Sequence, residues 1–281
     1  MSSPLICLPL GKPSLLAFRG PDAERYLNGQ LTQEVRGLGE AALPACVTDA
    51  KGRLQFFVQV FRGPDESIWI AGPEDSGEEL EARLTRYLIA DDVEVEDVTG
   101  AWQGVHAPGV SAPELPAGSF ARRVDRLGEP GWDLWIPAGE ELSFSAISPE
   151  DAEARRIAAG IAKWGAELVA GILPPEAGLD RSAISYRKGC YIGQEVLSRI
   201  KTAGKVNRKL VLLSVGEGAT AGDRLLITES GKESGTLTSV STVRDESGAF
   251  PALGYLEKAG FSEREFGIVG KAAAVRVARD L

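Results

Sequence analysis

The sequence is poor in the side chains from which metal sites are usually built. It has three cysteines, Cys7, Cys46 and Cys190, and a single histidine, His106. No CxxC pair and no Cys/His spacing occurs, so neither a disulfide framework nor a zinc site is predicted. A single histidine also cannot supply a His-based metal site. We therefore expect no bound metal, and we interpret His106 as a structural residue of a strand or loop.

Long apolar runs are also missing. No window is long enough for a membrane span. The N-terminal segment is apolar, but Pro9, Lys12 and Pro13 interrupt it, and it lacks the basic start of a signal peptide. Neither GxxxxGK[ST] nor a GxGxxG after a strand occurs, which argues against a nucleotide P-loop or a dinucleotide fold. We expect a cytoplasmic protein that does not contact membranes.

Positive charge is scarce overall but concentrated in one stretch. The formal net charge is −9, so the protein as a whole repels nucleic acid, and no direct DNA binding is expected. Residues 181–209 nevertheless hold eight lysines or arginines and one acid, Glu195. A basic strip on an acidic body indicates a small anionic ligand more than a long polyanion.

The pattern of apolar residues and turns divides the chain into two regions. Residues 1–202 combine predicted helices and strands and form an α+β region. Residues 203–281 read as short strands separated by Gly-rich turns, which predicts a small antiparallel β-barrel or sandwich. With 281 residues, 43% of them hydrophobic, the chain is long enough for two domains.

Local signals predict several element ends. A helix is expected over residues 23–27, closed by Gly29 in a left-handed cap. Ser76 and Glu79 have capping-box spacing, and the helix they start would place four apolar side chains on one face: Leu80, Leu84, Tyr87 and Leu88. A further helix is predicted between Ser148 and Gly160. Residues 49–52 are predicted to form the turn of a hairpin whose second strand reaches Phe61.

Residues 186–209 invite two interpretations of their chemistry. Gly193 is predicted to mark a helix N-terminus, which would attract a carboxylate or phosphate. Glu195 then either stabilises the helix dipole or receives paired N–H donors from a planar heterocycle. Cys190 is either a small packing residue or a reactive thiol, with Lys188 and the helix N-terminus favouring the thiolate. The residues alone leave both questions open.

This segment also resembles a known family. The stretch KGCYIGQEVLSRI is similar to the K-G-C-Y-x-G-Q-E signature of the YgfZ-type folate-binding proteins, relatives of the glycine-cleavage aminomethyltransferase. The resemblance extends over most of the chain, through GPDAERYLNGQLTQEV, TDAKGR, RRIAAGIAKWGAELVAGILPPEAGL, and GKVNRKL with ALGYL. It implies an aminomethyltransferase-like α+β fold of mixed sheets and helices, arranged as a three-lobed ring whose third lobe is the C-terminal barrel.

The resemblance implies a ligand and a set of site residues. The cofactor would be tetrahydrofolate or a reduced, polyglutamylated derivative. Glu195 would bind the pterin ring with Tyr191 and Gln194 nearby, and Lys188 and Cys190 would form the functional core. Basic residues would receive the glutamate tail. The full set of expected ligand-binding positions also includes Gly189, Gly193, Arg199, Lys201, Asp49 and Lys51; Asp49, Lys51 and Gly52 either face the ligand or only form their turn.

One departure bears on catalysis. Aminomethyltransferases carry a paired acidic motif a few residues after the hairpin turn, but the equivalent stretch here, Leu54-Gln55-Phe56-Phe57, has no acid. One-carbon chemistry that needs a carboxylate has no evident candidate there. The resemblance therefore favours a tetrahydrofolate-binding monomer that supports the synthesis or repair of iron–sulfur clusters through transient contacts with client or assembly proteins. The alternative is a folate-dependent one-carbon transferase or demethylase. Three cysteines are too few for the protein to carry an all-cysteine cubane cluster itself.

Overall fold

A computed structural model describes residues 5–281 of the chain. Residues 1–4, the start of the segment in which no signal peptide is expected, lie outside the described residues. The chain forms two compact units. One contains the residues up to Ile147 together with Asp180–Ser198, and the other contains Ser148–Leu179 together with Arg199–Leu281. Residues 148–179 thus group with the C-terminal strands, although the sequence pattern placed them in the α+β region.

The first unit is built from two sheets and a few helices. The order β3-β4-β5-β2-β6 describes one sheet and β10-β1-β7-β9-β8 the other, and the neighbouring strands are antiparallel except β1 and β10. The elements are β1 (Ile6–Pro9), β2 (Pro13–Arg19), α1 (Ala23–Gln30), β3 (Leu43–Thr48), β4 (Leu54–Arg62), β5 (Ile68–Glu74), α2 (Gly77–Thr85), β6 (Glu94–Asp97), β7 (Trp102–Pro108), β8 (Phe120–Val124), β9 (Gly131–Pro137), β10 (Ser145–Ala146) and the start of α4 (Gln194–Ala203).

The first sheet is buried on both faces. On one face its alternating apolar residues pack against α1 and α2, for example Val58 of β4 with Leu27 and Leu80 of the helices. On the other face Phe61 of β4 stacks on Trp135 of β9, with ring centroids 5.4 Å apart. The two sheets therefore share an aromatic core, and the helices cover the opposite side.

Three predicted helix ends differ from the structure. Helix α1 runs through Gly29 to Gln30, because the Leu31 N–H bonds back to the Leu27 carbonyl and the chain then turns extended. Ser76 does not cap α2, since its hydroxyl donates to the carbonyl oxygen of Pro73. Helix α2 also ends at Thr85, so the predicted apolar face loses its last members, Tyr87, which is half exposed, and Leu88.

The second unit is a closed barrel with a helix packed on it. The six barrel strands follow the order β11-β14-β13-β12-β15-β16, which confirms the predicted C-terminal barrel. Helix α3 (Pro149–Ala159) packs on β14 and has the predicted ends, since the Ser148 hydroxyl accepts from the Asp151 N–H and Gly160 is left-handed at φ 80°. The strands are β11 (Arg208–Val215), β12 (Arg224–Ile227), β13 (Glu233–Val240), β14 (Phe250–Glu257), β15 (Glu265–Ile268) and β16 (Lys271–Asp280).

Candidate functional site

Two glycine-containing turns of the first unit pack backbone against backbone. We call residues 49–52 the hairpin turn and residues 188–193 the signature turn. Gly193 has φ 87°, and a Cβ there would lie 2.6 Å from the Asp49 carbonyl oxygen. Gly52 has φ 71°, and its Cβ would lie 3.3 Å from the Gly193 carbonyl oxygen. A side chain on Gly193 would therefore force the two turns apart. Helix α4 begins at the next residue, Gln194, as the sequence predicted.

Lys188 anchors the other end of the signature turn. Its Nζ donates to the carbonyl oxygens of Leu31 at 2.7 Å and Gln33 at 2.6 Å, and it lies 5.3 Å from the centroid of the Tyr191 ring. Burial lowers the pKa of the Lys188 ammonium to about 8, opposed by the nearby charge of Glu34. The ammonium is thus committed to backbone carbonyls inside the unit.

The signature side chains divide into a buried group and an exposed group. Tyr191 is buried against Ile184 and Leu197, and burial raises the pKa of its phenol to about 12. Within residues 5–281 its hydroxyl has no hydrogen-bond partner. Cys190 and Glu195 are exposed, and Gly189 beside them is exposed as well. The thiol on the turn and the carboxylate in the first turn of α4 are therefore exposed, while the side chains of Lys188 and Tyr191 are buried.

One of the two charged side chains of the hairpin turn, that of Asp49, forms hydrogen bonds within the turn. The Asp49 carboxylate accepts from the backbone N–H groups of Lys51 at 2.8 Å and Arg53 at 2.9 Å, as turn aspartates do. The Lys51 side chain is exposed. The Asp49 carboxylate thus forms hydrogen bonds within its own turn.

Sequence reasoning missed Arg83 of α2, which lies beneath the hairpin turn. Its guanidinium donates to the carbonyl oxygen of Thr48 at 2.6 Å and to the side-chain oxygens of Gln55 at 2.5 Å and Gln30 at 3.1 Å. The residue is 9% exposed. The only sequence signal was an arginine next to Leu84 on the apolar side of a predicted helix.

Helix α4 continues the basic strip away from the signature turn. Gln194 is half-buried, whereas Glu195, Arg199 and Lys201 are exposed along the helix. Glu195 and Arg199 are four residues apart and share a face. Of the strand residues that follow, Arg208 donates to Glu176 and Lys209 to Asp280, each at 2.9 Å.

The remaining cysteines and the histidine serve packing. Burial raises the pKa of Cys7 to about 11 and that of Cys46 to about 12. His106 lies in β7, one of the predicted settings, and its buried Nδ1 is 3.0 Å from Asp133 Oδ1. Across residues 5–281 no group of three or more His, Cys, Asp or Glu side chains has a metal-binding arrangement, and no helix is both long and apolar enough to cross a membrane.

Comparison with solved structures identifies the type of fold. The glycine cleavage system aminomethyltransferase T from Bartonella henselae superposes with a TM-score of 0.80 at 17% identity, covering 98% of this chain and 85% of its own. This likeness establishes the fold alone, and it confirms the predicted aminomethyltransferase-like architecture. No family model matches the chain.

Named relatives are similar to this chain in sequence as well. The iron–sulfur cluster assembly factor IBA57 homolog of Cryptococcus neoformans, named as mitochondrial, is 26% identical over 87% of this chain and 76% of its own. The tRNA-modifying protein YgfZ of Cronobacter sakazakii is 29% identical over 77% of this chain and 73% of its own. The chain is thus similar in sequence to YgfZ and IBA57 proteins and in fold to the glycine-cleavage aminomethyltransferase, in agreement with the signature resemblance.

Proposed function

We propose that the chain binds a reduced folate at the signature turn and supports the assembly or repair of iron–sulfur clusters in client enzymes. The observation that carries the proposal is that Cys190 is exposed on a turn fixed by Lys188 and Gly193, and that Glu195 is exposed at the start of the helix that follows it. Exposed reactive groups on a rigid turn and the helix that follows it are what a ligand site requires. The name of the Cryptococcus relative supports the iron–sulfur half of the proposal.

The chemistry of the donor set fits a folate. The exposed Glu195 carboxylate is an acceptor for paired N–H groups, which the pterin ring provides. Arg199 and Lys201, further along the same helix, are suited to the carboxylates of the glutamate tail. Tyr191 and Gln194 would support Glu195 from the turn and the helix start. Bound folate would carry the one-carbon unit; the chain itself would bind and orient it.

The alternative, a one-carbon transferase or demethylase, needs an acid in the stretch that follows the hairpin turn. Gln55 occupies the stretch where the transferases have their acidic motif, and its carboxamide accepts a hydrogen bond from Arg83. We therefore propose binding without turnover. Incubation with tetrahydrofolate and a methylated amine tests this directly, because release of the demethylated amine would favour the transferase.

Replacing Glu195 with alanine should weaken binding of tetrahydrofolate by about 1–3 kcal/mol, the loss expected for a charged hydrogen-bond partner. Isothermal calorimetry measures the difference. The matched control is Glu229→Ala, which removes an exposed carboxylate from the second unit and should leave the affinity unchanged. Equal affinity in the Glu195 variant and the parent, or no binding by the parent, would reject the proposed site.

Longer polyglutamate forms should bind more tightly than the monoglutamate, and their advantage should shrink as salt rises. Exposed ion pairs contribute on the order of 1 kcal/mol or less each, so the gain should be modest and cumulative. Lys201 and Lys205 are the proposed tail contacts to test first, because both are exposed, whereas Arg208 and Lys209 are half-buried. Identical affinities of mono- and triglutamate at low salt would count against this assignment.

A further inference from the structure

Arg83 is a buried cation that is held entirely by neutral oxygens. Its three hydrogen bonds go to an amide of α1, an amide of β4 and a backbone carbonyl at the end of β3. Among residues 5–281 no carboxylate lies within ion-pairing distance of its guanidinium. Burial lowers the pKa of Arg83, with the nearby charge of Asp49 among the weaker influences that raise it. A buried charge without a counter-ion is unfavourable, so its three contacts must compensate.

The hydrogen bond between Arg83 and Gln55 depends on an irregularity in β4. Val47 pairs with Phe56, but the next residue, Thr48, pairs with Leu54, so Gln55 is an extra residue in β4. Such a bulge bends a strand and redirects a side chain. Here the side chain of Gln55 reaches Arg83 Nε at 2.5 Å.

The contact with Thr48 connects Arg83 to the signature turn. Arg83 holds the Thr48 carbonyl at 2.6 Å, and the Thr48 hydroxyl donates to the carbonyl of Ile192, also at 2.6 Å. The same hydroxyl oxygen would be 2.8 Å from a Cβ on Gly193. Thr48 is fully buried, so its bond from Arg83 is shielded from water, and its bond to Ile192 is partly buried. A single residue thus joins the guanidinium to the turn that carries Cys190.

We propose that Arg83 is a positioning residue for the signature turn, acting through Thr48 on Ile192 and Gly193. Its three hydrogen bonds connect the end of α1, the end of β3 and the bulge in β4. Together these segments form a rigid support for the two glycine-containing turns. The consequence for ligand affinity rests on the proposed folate site, but the ordering of the turn does not.

Hydrogen exchange of the intact protein tests the proposal. In Arg83→Gln, amide exchange in a peptide spanning residues 187–197 should rise roughly tenfold, since about one hydrogen bond's worth of local stability is lost. Thr48→Val removes the link to Ile192 without removing the charge, and it should raise exchange in the same peptide. Arg83→Lys keeps the charge without the planar guanidinium and should fall between the parent and Arg83→Gln. Arg86→Gln is the matched control, because Arg86 is exposed just beyond the end of the same helix.

The outcomes separate this proposal from the proposed function. Faster exchange confined to 187–197 in Arg83→Gln and Thr48→Val, with no change in Arg86→Gln, supports positioning. Unchanged exchange there, or an equal rise throughout the first unit, overturns it. If Arg83→Gln does not fold, Arg83→Lys and Thr48→Val decide by the same criterion. Calorimetry with tetrahydrofolate is independent: a parent that does not bind refutes the folate site and leaves the exchange result standing.

Discussion

Replacing Cys190 with serine is expected to abolish the support of iron–sulfur enzymes in a host that lacks its own protein of this type. The thiol is exposed, whereas Cys7 and Cys46 are buried, so of the three thiols only Cys190 is accessible for the proposed contact with a client protein. Serine preserves the volume but is a far poorer thiolate mimic. The measurement is the activity of iron–sulfur enzymes in complemented cells, together with the folate affinity of the purified variant, which should match the parent.

Two controls make the Cys190 result interpretable. Thermal unfolding must show that Cys190→Ser is as stable as the parent, as expected for an exposed position. Cys46→Ser makes the same chemical change at a buried thiol and should retain activity wherever the variant folds. A Cys190→Ser protein that folds, binds folate and fully restores the enzymes would end the idea of a functional thiol.

The largest loss of stability is expected at Glu167 in the second unit. Its carboxylate is completely buried and accepts from Arg156 at 2.9 Å, the Lys163 N–H at 3.0 Å, Thr238 at 2.7 Å and Ser239 at 2.6 Å. These bonds tie α3 and the following loop to β13. Glu167→Gln keeps the volume but removes the buried partner of Arg156, which retains its pair with the partly exposed Glu153. The free energy of unfolding should fall by about 3 kcal/mol, the lower end of the range for a broken buried pair.

Denaturant unfolding measures this loss of stability, and an exposed ion pair serves as the control. Glu217→Gln removes one partner of the Arg244 pair, which is largely solvent-exposed, and should change stability by less than about 1 kcal/mol. Combining Glu167→Gln with Arg156→Met should cost less than the sum of the single changes, since both charges are then gone. A loss at Glu167 no larger than at Glu217 would contradict the assigned role of the network.

The parts of the fold that depend on local chemistry could be predicted from the sequence. Ser148 and Gly160 bound α3 because a hydroxyl cap and a left-handed glycine act within one turn of the helix. The hairpin turn likewise depends on two local residues, Asp49 and Gly52. The barrel could be predicted from the short strands and Gly-rich turns after residue 203. The signature turn was located by its glycines and by its resemblance to a family.

The rest depends on contacts between residues distant in sequence. Ser76 has the spacing of a capping box, but the Pro73 carbonyl competes for its hydroxyl. The bulge at Gln55 is set by pairing with β3, and no residue type marks it in advance. Arg83 reads as one more basic residue of an amphipathic helix, because its role depends on where Thr48 and Gln30 meet it.

The path of the chain has a consequence for dissecting the molecule by truncation. The backbone leaves the first unit after Ile147, returns at Asp180 and leaves again after Ser198, so neither unit is a continuous piece of sequence. A fragment ending near residue 202 would keep α3 and Glu167 while discarding β13 and β14, so the buried face of α3 would be exposed and the bonds from Thr238 and Ser239 to Glu167 would be lost. In such a fragment α3 should therefore lose its stable packing, and a fragment that respects the two units has to keep residues 148–179 with the barrel.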